Sequence, residues 1–313
     1  MTKHVYKDSG VFALTKSFFV FSAFIIFSVF ASGTVSAHVL DGLIFSINVI
    51  LPTVFPFMVF SDLASRCFEF ERSRFLSSLF ERIFKINGAG IGAFLSGIVG
   101  GFPVGAKNAL SLYENGKISK CECERLMCFS NLPSPAYVIS AIGIGILSGF
   151  KIGITLYITV ISGAIISGFI IGINKTFSKN CDIIKEQNYS FVKSLKDSTF
   201  ASVTVVFFIS FFSGLCGLLK SSPLPPLLKC FLISVSEVGN ATLYISDLCI
   251  LPSKLSIALI AFSLSFSGIC VIMQSLAIKK EKEISIKKCL LYKMLQGGIS
   301  FLIILLLPKE ILN

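Results

Sequence analysis

The chain has 313 residues, of which 54 % are hydrophobic and 14 % are charged. Its mean hydropathy of +0.83 is far above that of a soluble globular domain of this size. This composition excludes a soluble domain of any size and predicts an all-α polytopic membrane protein. The formal net charge of +11 does not indicate a nucleic-acid partner, because the basic residues lie in connectors between apolar runs.

Several apolar runs reach the length of about 18 residues that can cross the hydrocarbon layer of a bilayer. Two further runs, 88–110 and 255–277, are shorter and interrupted. We therefore expect roughly seven to nine membrane elements in one integral membrane domain, 1–313, which contacts the lipid bilayer of the cell membrane. The long runs are 17–36, 43–62, 132–149, 152–173, 199–219, 227–250 and 290–307.

The first apolar run resembles a secretory signal, since it follows Lys3, Lys7 and Lys16 and ends among small residues. Its length and the further runs behind it favour a retained first helix, and a cleaved signal peptide is the alternative.

The ten cysteines are spread over runs and connectors without paired spacing, which is typical of small buried residues in reducing surroundings. Cys121, Cys123 and Cys128 cluster, but the chain has two histidines and no second CxxC pattern. We therefore predict neither a metal site nor a cofactor. Neither His4 nor His38 lies in a recognisable catalytic motif, and we predict that the protein is not an enzyme.

Lysine and arginine near the ends of membrane spans mark the cytoplasmic side. If both interrupted runs are re-entrant hairpins, every strongly basic connector falls on that side; if they cross, 117–125 and 175–196 lie outside. We therefore predict two re-entrant hairpins, a cytoplasmic N-terminus and about seven true spans. The basic connectors are 3–16, 66–85, 117–125, 175–196 and 279–293.

The chain also contains two similar stretches, around Ile118-Ser119 and Ile284-Ser285. They lie 166 residues apart, and each follows an interrupted run. This pattern predicts two pseudo-repeated halves, 43–173 with a hairpin at 88–110 and 199–308 with a hairpin at 255–277. Chance similarity is the alternative, and the match leaves open whether the halves are parallel or inverted. Interrupted segments at matching positions of two halves indicate a transporter's central site.

The first interrupted run breaks at a cluster of glycines around one proline and continues into a lysine and an amide. Proline removes a backbone donor, and glycine permits positive φ, so this segment suits a tip whose backbone faces a solute. Close helix packing through small residues is the alternative. The lysine either neutralises an anionic ligand or extends to the headgroups. The candidates are Gly100, Gly101, Pro103, Gly105, Lys107 and Asn108.

Further candidates lie at a second break and in the second half. Asn131 and Pro133 offer polar groups at a helix N-terminus, or form an ordinary helix cap. Glu237, with Gly239 and Asn240 beside it, is an ionisable residue inside a membrane run, and such residues usually face a cavity. The second interrupted run adds Gly268 and Gln274.

These motifs resemble the YlbJ-type sporulation integral membrane proteins. The resemblance rests on Gly100-Gly-Phe-Pro-Val-Gly-Ala-Lys107, Leu112-Tyr-Glu-Asn-Gly-Lys-Ile-Ser119, Asn131-x-Pro-x-Pro135 and Glu237-x-Gly239, and extends over about 43–280. Those proteins are grouped with nucleoside recognition (Gate) domains, concentrative nucleoside transporters and the membrane domain of the ferrous iron transporter FeoB. The resemblance implies a multi-pass membrane protein needed for sporulation and for building the spore cortex.

We expect a transporter-like permease for a small polar solute. In this hypothesis the two hairpins share a cavity in which Lys107 and Glu237 bind a polar or zwitterionic solute, and Glu237 carries a coupling proton. A membrane scaffold or assembly factor for the spore envelope is the alternative. A homo-oligomer is compatible with either function.

Overall fold

A computed structural model describes residues 32–67, 73–176, 191–248, 253–277 and 284–311. Within these ranges the chain forms helices and no strand. We number the helices α1 (Ser32–Phe45), α2 (Leu51–Cys67), α3 (Arg74–Phe84), α4 (Gly90–Gly100), α5 (Val104–Glu114), α6 (Lys120–Ser130), α7 (Ala136–Ile146), α8 (Phe150–Gly172), α9 (Phe191–Ser221), α10 (Pro226–Ser236), α11 (Val238–Asp247), α12 (Ser253–Phe266), α13 (Gly268–Ala277) and α14 (Ile286–Leu306). A π-helical turn, Ser46–Ile50, joins α1 to α2, α7 is also π-helical, and a short 3-10 turn, Lys309–Ile311, follows α14.

Five of the described helical segments are long and apolar enough to cross a bilayer. They confirm the predicted all-α polytopic membrane architecture. The predicted run 17–36, with its possible signal peptide, lies outside the described residues except for 32–36. The five segments are Ser32–Leu63, Phe150–Gly172, Phe191–Ser221, Ser253–Ser275 and Ile286–Leu306.

The second predicted break is present at the start of the run 132–149, whereas the run 227–250, which the sequence predicts as a continuous span, is interrupted. The first run is preceded by a non-helical stretch from Asn131 to Ser134 between α6 and α7, where prolines disfavour helical conformation in the residues before them. In the second run, Glu237 has an extended backbone (φ −151°, ψ 129°) and separates α10 from α11. The protein therefore contains more helix breaks than its apolar runs predict.

The two interrupted runs differ from each other. Around 88–110, α4 and α5 pack side by side, and Gly101 (φ 74°) and a cis Phe102–Pro103 peptide form the turn, so this run is the predicted hairpin. Around 255–277, α12 and α13 break at Ser267 and Gly268, which have φ 75° and 72°, but the two helices do not pack along each other. The prediction of a hairpin there is wrong; the segment is an interrupted helix.

The spacing of the described helices along the chain indicates two repeats. Helices α4 and α10 begin 136 residues apart (90 and 226), and so do α8 and α14 (150 and 286). At the same offset α6 and α12 end at 130 and 266, so α4–α8 corresponds to α10–α14. The match between Ile118-Ser119 and Ile284-Ser285 pairs α6 with α14 instead, and that register is wrong because α12 is the counterpart of α6.

The repeats are inverted. The N-terminal end of α8 lies beside the chain after α14, since Lys151 Nζ donates to the carbonyl of Glu310 at 2.9 Å. Farther along, Ser300 Oγ donates to the carbonyl of Thr159 at 3.5 Å. Helices α8 and α14 are therefore antiparallel, and because they are counterparts, one repeat runs through the membrane opposite to the other.

A cluster of aromatic rings holds α3 against the first repeat. Phe84 stacks on Phe129 of α6 with ring centroids 4.7 Å apart, and Phe94 of α4 lies edge-on to Phe129 at 5.5 Å. On the opposite face of α3, Phe75 is 76 % exposed. Arg125 of α6 donates to the carbonyls of Phe84 and Lys85, which satisfies the C-terminal end of α3 and fixes the start of the hairpin.

Candidate functional site at the helix breaks

The breaks of the two repeats meet at one cavity, the central cavity. Phe102 of the hairpin turn and Ser134 of the α6–α7 break line it from the first repeat. Glu237, from the α10–α11 break, and Gln274 of α13 line it from the second. Aliphatic side chains of α2 and α9 complete a largely apolar wall.

The carboxylate of Glu237 caps α11. Its Oε1 accepts a hydrogen bond from the backbone N–H of Gly239 (2.8 Å), and Oε2 accepts from the backbone N–H of Asn240 (2.6 Å). The positive end of the helix dipole stabilises a negative charge at this position. Glu237 is 3 % exposed. Oε1 accepts a single bond from the described residues, so one of its lone pairs is available to a solute in the cavity.

Asn240 links this carboxylate to α9 through hydrogen bonds. Its Nδ2 donates both to Glu237 Oε2 (3.0 Å) and to Ser213 Oγ (2.7 Å). Its Oδ1 accepts from Lys220 Nζ at 3.1 Å. Asn240 is not among the residues that line the cavity, so the structure places this predicted binding residue behind the site as a support. Gly239 also packs closely, since a Cβ there would lie 2.9 Å from the ring of Phe45.

Gln274 and Gly268 form the second repeat's other contribution. Gln274 lines the cavity, and its Nε2 donates to Cys270 Sγ at 3.1 Å. A Cβ on Gly268 would lie 2.9 Å from the carbonyl oxygen of Ser236. Glycine at this positive-φ position therefore lets the α12–α13 break lie against the end of α10, beside Glu237.

The predicted glycines of the hairpin allow its backbone to lie in close contact with neighbouring segments. A Cβ on Gly105 would lie 2.0 Å from the carbonyl oxygen of Ser130, and one on Gly101 would lie 2.6 Å from the backbone nitrogen of Ser134. Gly100 leaves room for the hydroxyl of Ser61. These glycines seat the hairpin on the α6–α7 break and so shape one wall of the cavity.

Lys107, Asn108 and Pro103 lie away from the central cavity. Lys107 Nζ is 3.1 Å from Asp62 Oδ1, and Lys107, Asp62 and Pro103 line a separate, smaller cavity. Asn108 Nδ2 donates to Ser96 Oγ at 2.7 Å, which joins the two legs of the hairpin. The sequence did not identify Asp62 as the partner of Lys107.

Asn131 and Pro133 are buried in the α6–α7 break. Asn131 Nδ2 donates to Ser275 Oγ of α13 at 2.9 Å, and its carbonyl accepts from Lys293 Nζ. Sequence reasoning missed Lys293, which it counted as the end of the basic connector 279–293. The signal that could have found it is its position inside an apolar run after the start of α14. Within the described ranges, no group of three or more His, Cys, Asp or Glu side chains is arranged to hold a metal ion.

Comparisons with known proteins give one informative similarity. The chain is 32 % identical, over 113 residues, to the sporulation integral membrane protein YlbJ of Bacillus subtilis (strain 168). The matched region is 35 % of this chain and 27 % of that protein, so the chain spans about a quarter of the length of the curated relative. No family profile matches the chain, and no solved structure matches it. Together with the apolar helices, the similarity identifies a multi-pass membrane protein.

Proposed function

We propose that this protein is a permease for a small polar solute and that it acts in sporulation. Transport is supported by one observation, the meeting of four interrupted segments at a cavity that contains a buried carboxylate. Broken backbone at membrane depth is tolerated where it lines a cavity or is buried in protein. In secondary transporters such breaks surround the substrate between inverted repeats. The role in sporulation is supported by the similarity to the B. subtilis protein.

The lining of the cavity favours a particular kind of solute. Glu237 offers an acceptor, and Ser134 and Gln274 offer neutral polar groups, while most of the remaining wall is aliphatic. The lining includes no lysine or arginine, and Lys107 pairs with Asp62 elsewhere. A solute with a cationic or hydrogen-bond-donating group and an apolar body fits this wall better than the zwitterion that Lys107 and Glu237 predict together.

Ligand-dependent melting of the purified protein tests the proposal. The panel contains nucleosides, neutral amino acids and primary amines of increasing chain length. We expect at least one of them, with the amines as the leading candidates, to raise the melting temperature of the wild type. Glu237→Gln should lose that rise while remaining folded, and the exposed Glu114→Gln on α5 is the matched control that should keep it.

A compound that passes this test is then followed as a radiolabelled solute into proteoliposomes. Uptake by the wild type and not by Glu237→Gln is the expected result. If no compound in the panel binds while both proteins remain folded, the scaffold hypothesis replaces transport. Binding without uptake would support a sensor or a scaffold regulated by a solute, and would also contradict the permease.

A further inference from the structure

Lys293 is a buried lysine inside a membrane helix. It lies in the second turn of α14 and is 2 % exposed. Burying a lysine in a membrane segment carries a large free-energy penalty. The groups around Lys293 therefore have to replace the water that its side-chain nitrogen loses. None of the ion pairs among the described residues includes Lys293.

Three neutral oxygen atoms replace that water. Lys293 Nζ lies 2.5 Å from the main-chain oxygen of Asn131, 3.2 Å from Gln296 Oε1 and 3.4 Å from the main-chain oxygen of Ser265. Backbone carbonyls and amide oxygens are also the ligands with which membrane proteins strip the hydration shell from monovalent cations. The environment of Nζ is therefore that of a bound cation rather than that of an ion pair.

The two carbonyls come from corresponding places in the repeats. Asn131 caps the C-terminal end of α6, and Ser265 lies in the last turn of α12, the counterpart of α6. Carbonyls at a helix C-terminus lack partners within the helix and carry its partial negative charge. Two helix C-termini therefore meet at one point, and a positive charge there stabilises both.

We propose that Lys293 is a tethered cation, which fills a coordination site for a monovalent cation formed by the two helix breaks and Gln296. The site has room for an ion once the lysine side chain is shortened, because the space that the side chain leaves adjoins a cavity lined by Lys293, Asn131 and Ser275. Asn131 Oδ1 is buried there without a hydrogen-bond partner among the described residues and supplies a further oxygen. The proposal does not depend on whether the protein transports a solute.

Truncation of the lysine should make the protein responsive to an added cation. Lys293→Ala is purified in detergent, and its melting temperature is measured in ammonium, potassium and choline chloride at equal ionic strength. We expect ammonium or potassium to raise it by about 5 °C over choline when the ion is present at about 100 times its Kd. Choline is larger than ammonium or potassium and has no N–H donor.

Two controls separate a cation site from a general effect of salt. The wild type and Lys287→Ala, which removes an exposed lysine from the first turn of the same helix, should melt at the same temperature in all three salts. If a folded Lys293→Ala also melts equally in all three, the proposal is overturned.

Lys293→Met covers the case in which the alanine variant does not fold. Methionine keeps most of the aliphatic stem and removes the charge, so we expect a lower melting temperature than that of the wild type in every salt, with no recovery in ammonium. A wild-type melting temperature for Lys293→Met would show that the two helix ends need no cation and would overturn the proposal.

Discussion

Lys107 Nζ lies 3.1 Å from Asp62 Oδ1, so an ion pair fastens the α4–α5 hairpin to α2. The Asp62 side chain is 3 % exposed and that of Lys107 is 22 % exposed. Asp197 of α9 lies 3.9 Å from the same nitrogen, which places one lysine between carboxylates of two different helices. Lys107 therefore holds the α4–α5 hairpin in place through ion pairs with partners within the protein.

Replacing Lys107 alone should lower the free energy of unfolding more than replacing Lys107 and Asp62 together. Lys107→Met removes a cation from beside the buried Asp62 carboxylate, and we expect a loss of about 1.5–3 kcal/mol in the free energy of unfolding. Lys107→Met combined with Asp62→Asn should recover most of that loss. The measurement is thermal unfolding in detergent of the wild type, both single variants and the double variant. Equal losses in Lys107→Met and the double variant would contradict an energetically coupled pair.

Two glycines of α4 should respond in opposite ways to the same substitution. A Cβ on Gly97 would lie 1.9 Å from the carbonyl oxygen of Ser130, whereas a Cβ on Gly92 would meet nothing within 4 Å. We expect Gly97→Ala to destabilise the protein by about 1–3 kcal/mol, because it forces the hairpin away from the α6–α7 break. Gly92→Ala should be neutral or stabilising by up to about 1 kcal/mol, because alanine favours helix.

Melting temperatures of the two variants, measured side by side, check this contrast. If Gly97→Ala were as stable as Gly92→Ala, the close contact between α4 and the carbonyl of Ser130 would be absent from the protein in detergent.

The long uninterrupted helices and the first hairpin could be predicted from sequence. Helix α8 is an apolar run of sufficient length, and the hairpin turn at Gly101 and Pro103 combines two residues that break helices for independent reasons. The break at Glu237 could not be placed in this way, because no proline lies inside the α10–α11 segment between Pro226 and Asp247. A carboxylate that caps a second helix causes it, and that function depends on the folded backbone.

The partners of the buried charges were beyond sequence reasoning. Lys107 pairs with Asp62, 45 residues away, and Lys293 contacts the main chain of Asn131, 162 residues away. Such contacts follow from how the repeats pack and not from local pattern. The sequence singled out Lys107 because it follows a helix break, but in the structure Lys107 supports the hairpin. Lys293 was overlooked because it lies among other lysines at the start of α14.

The two roles of Glu237, capping α11 and facing the cavity, should be separable with Glu237→Asp. Aspartate is among the best helix caps, so we expect the melting temperature to change little. Its carboxylate is one methylene shorter and withdraws from the cavity, so the affinity for any solute bound there should fall by about tenfold or more, the equivalent of roughly one hydrogen bond to a charged group. Titration of the wild type and the variant with the same solute provides the measurement. Unchanged affinity would assign Glu237 to capping alone.

The inverted repeat makes a prediction about which side of the membrane each helix end faces. Lys151, in the first turn of α8, lies beside Glu310, which follows α14. Lys288, at the start of α14, lies at the other end of that helix. Because basic residues at the ends of spans favour the cytoplasmic side, we expect Lys287 and Lys288, at the start of α14, to face the cytoplasm. Cysteines at 151 and 310, in a background without the native cysteines, should therefore react with a membrane-impermeant maleimide in intact cells, and a cysteine at 288 should not.

The pattern of labelling distinguishes two kinds of error. Reaction at 288 with protection at both 151 and 310 would reverse the orientation of the whole protein and leave the inverted repeat intact. Reaction at only one of 151 and 310 would place the ends of α8 and α14 on different sides, and this would contradict their antiparallel packing. In that case the two halves would not be inverted relative to each other.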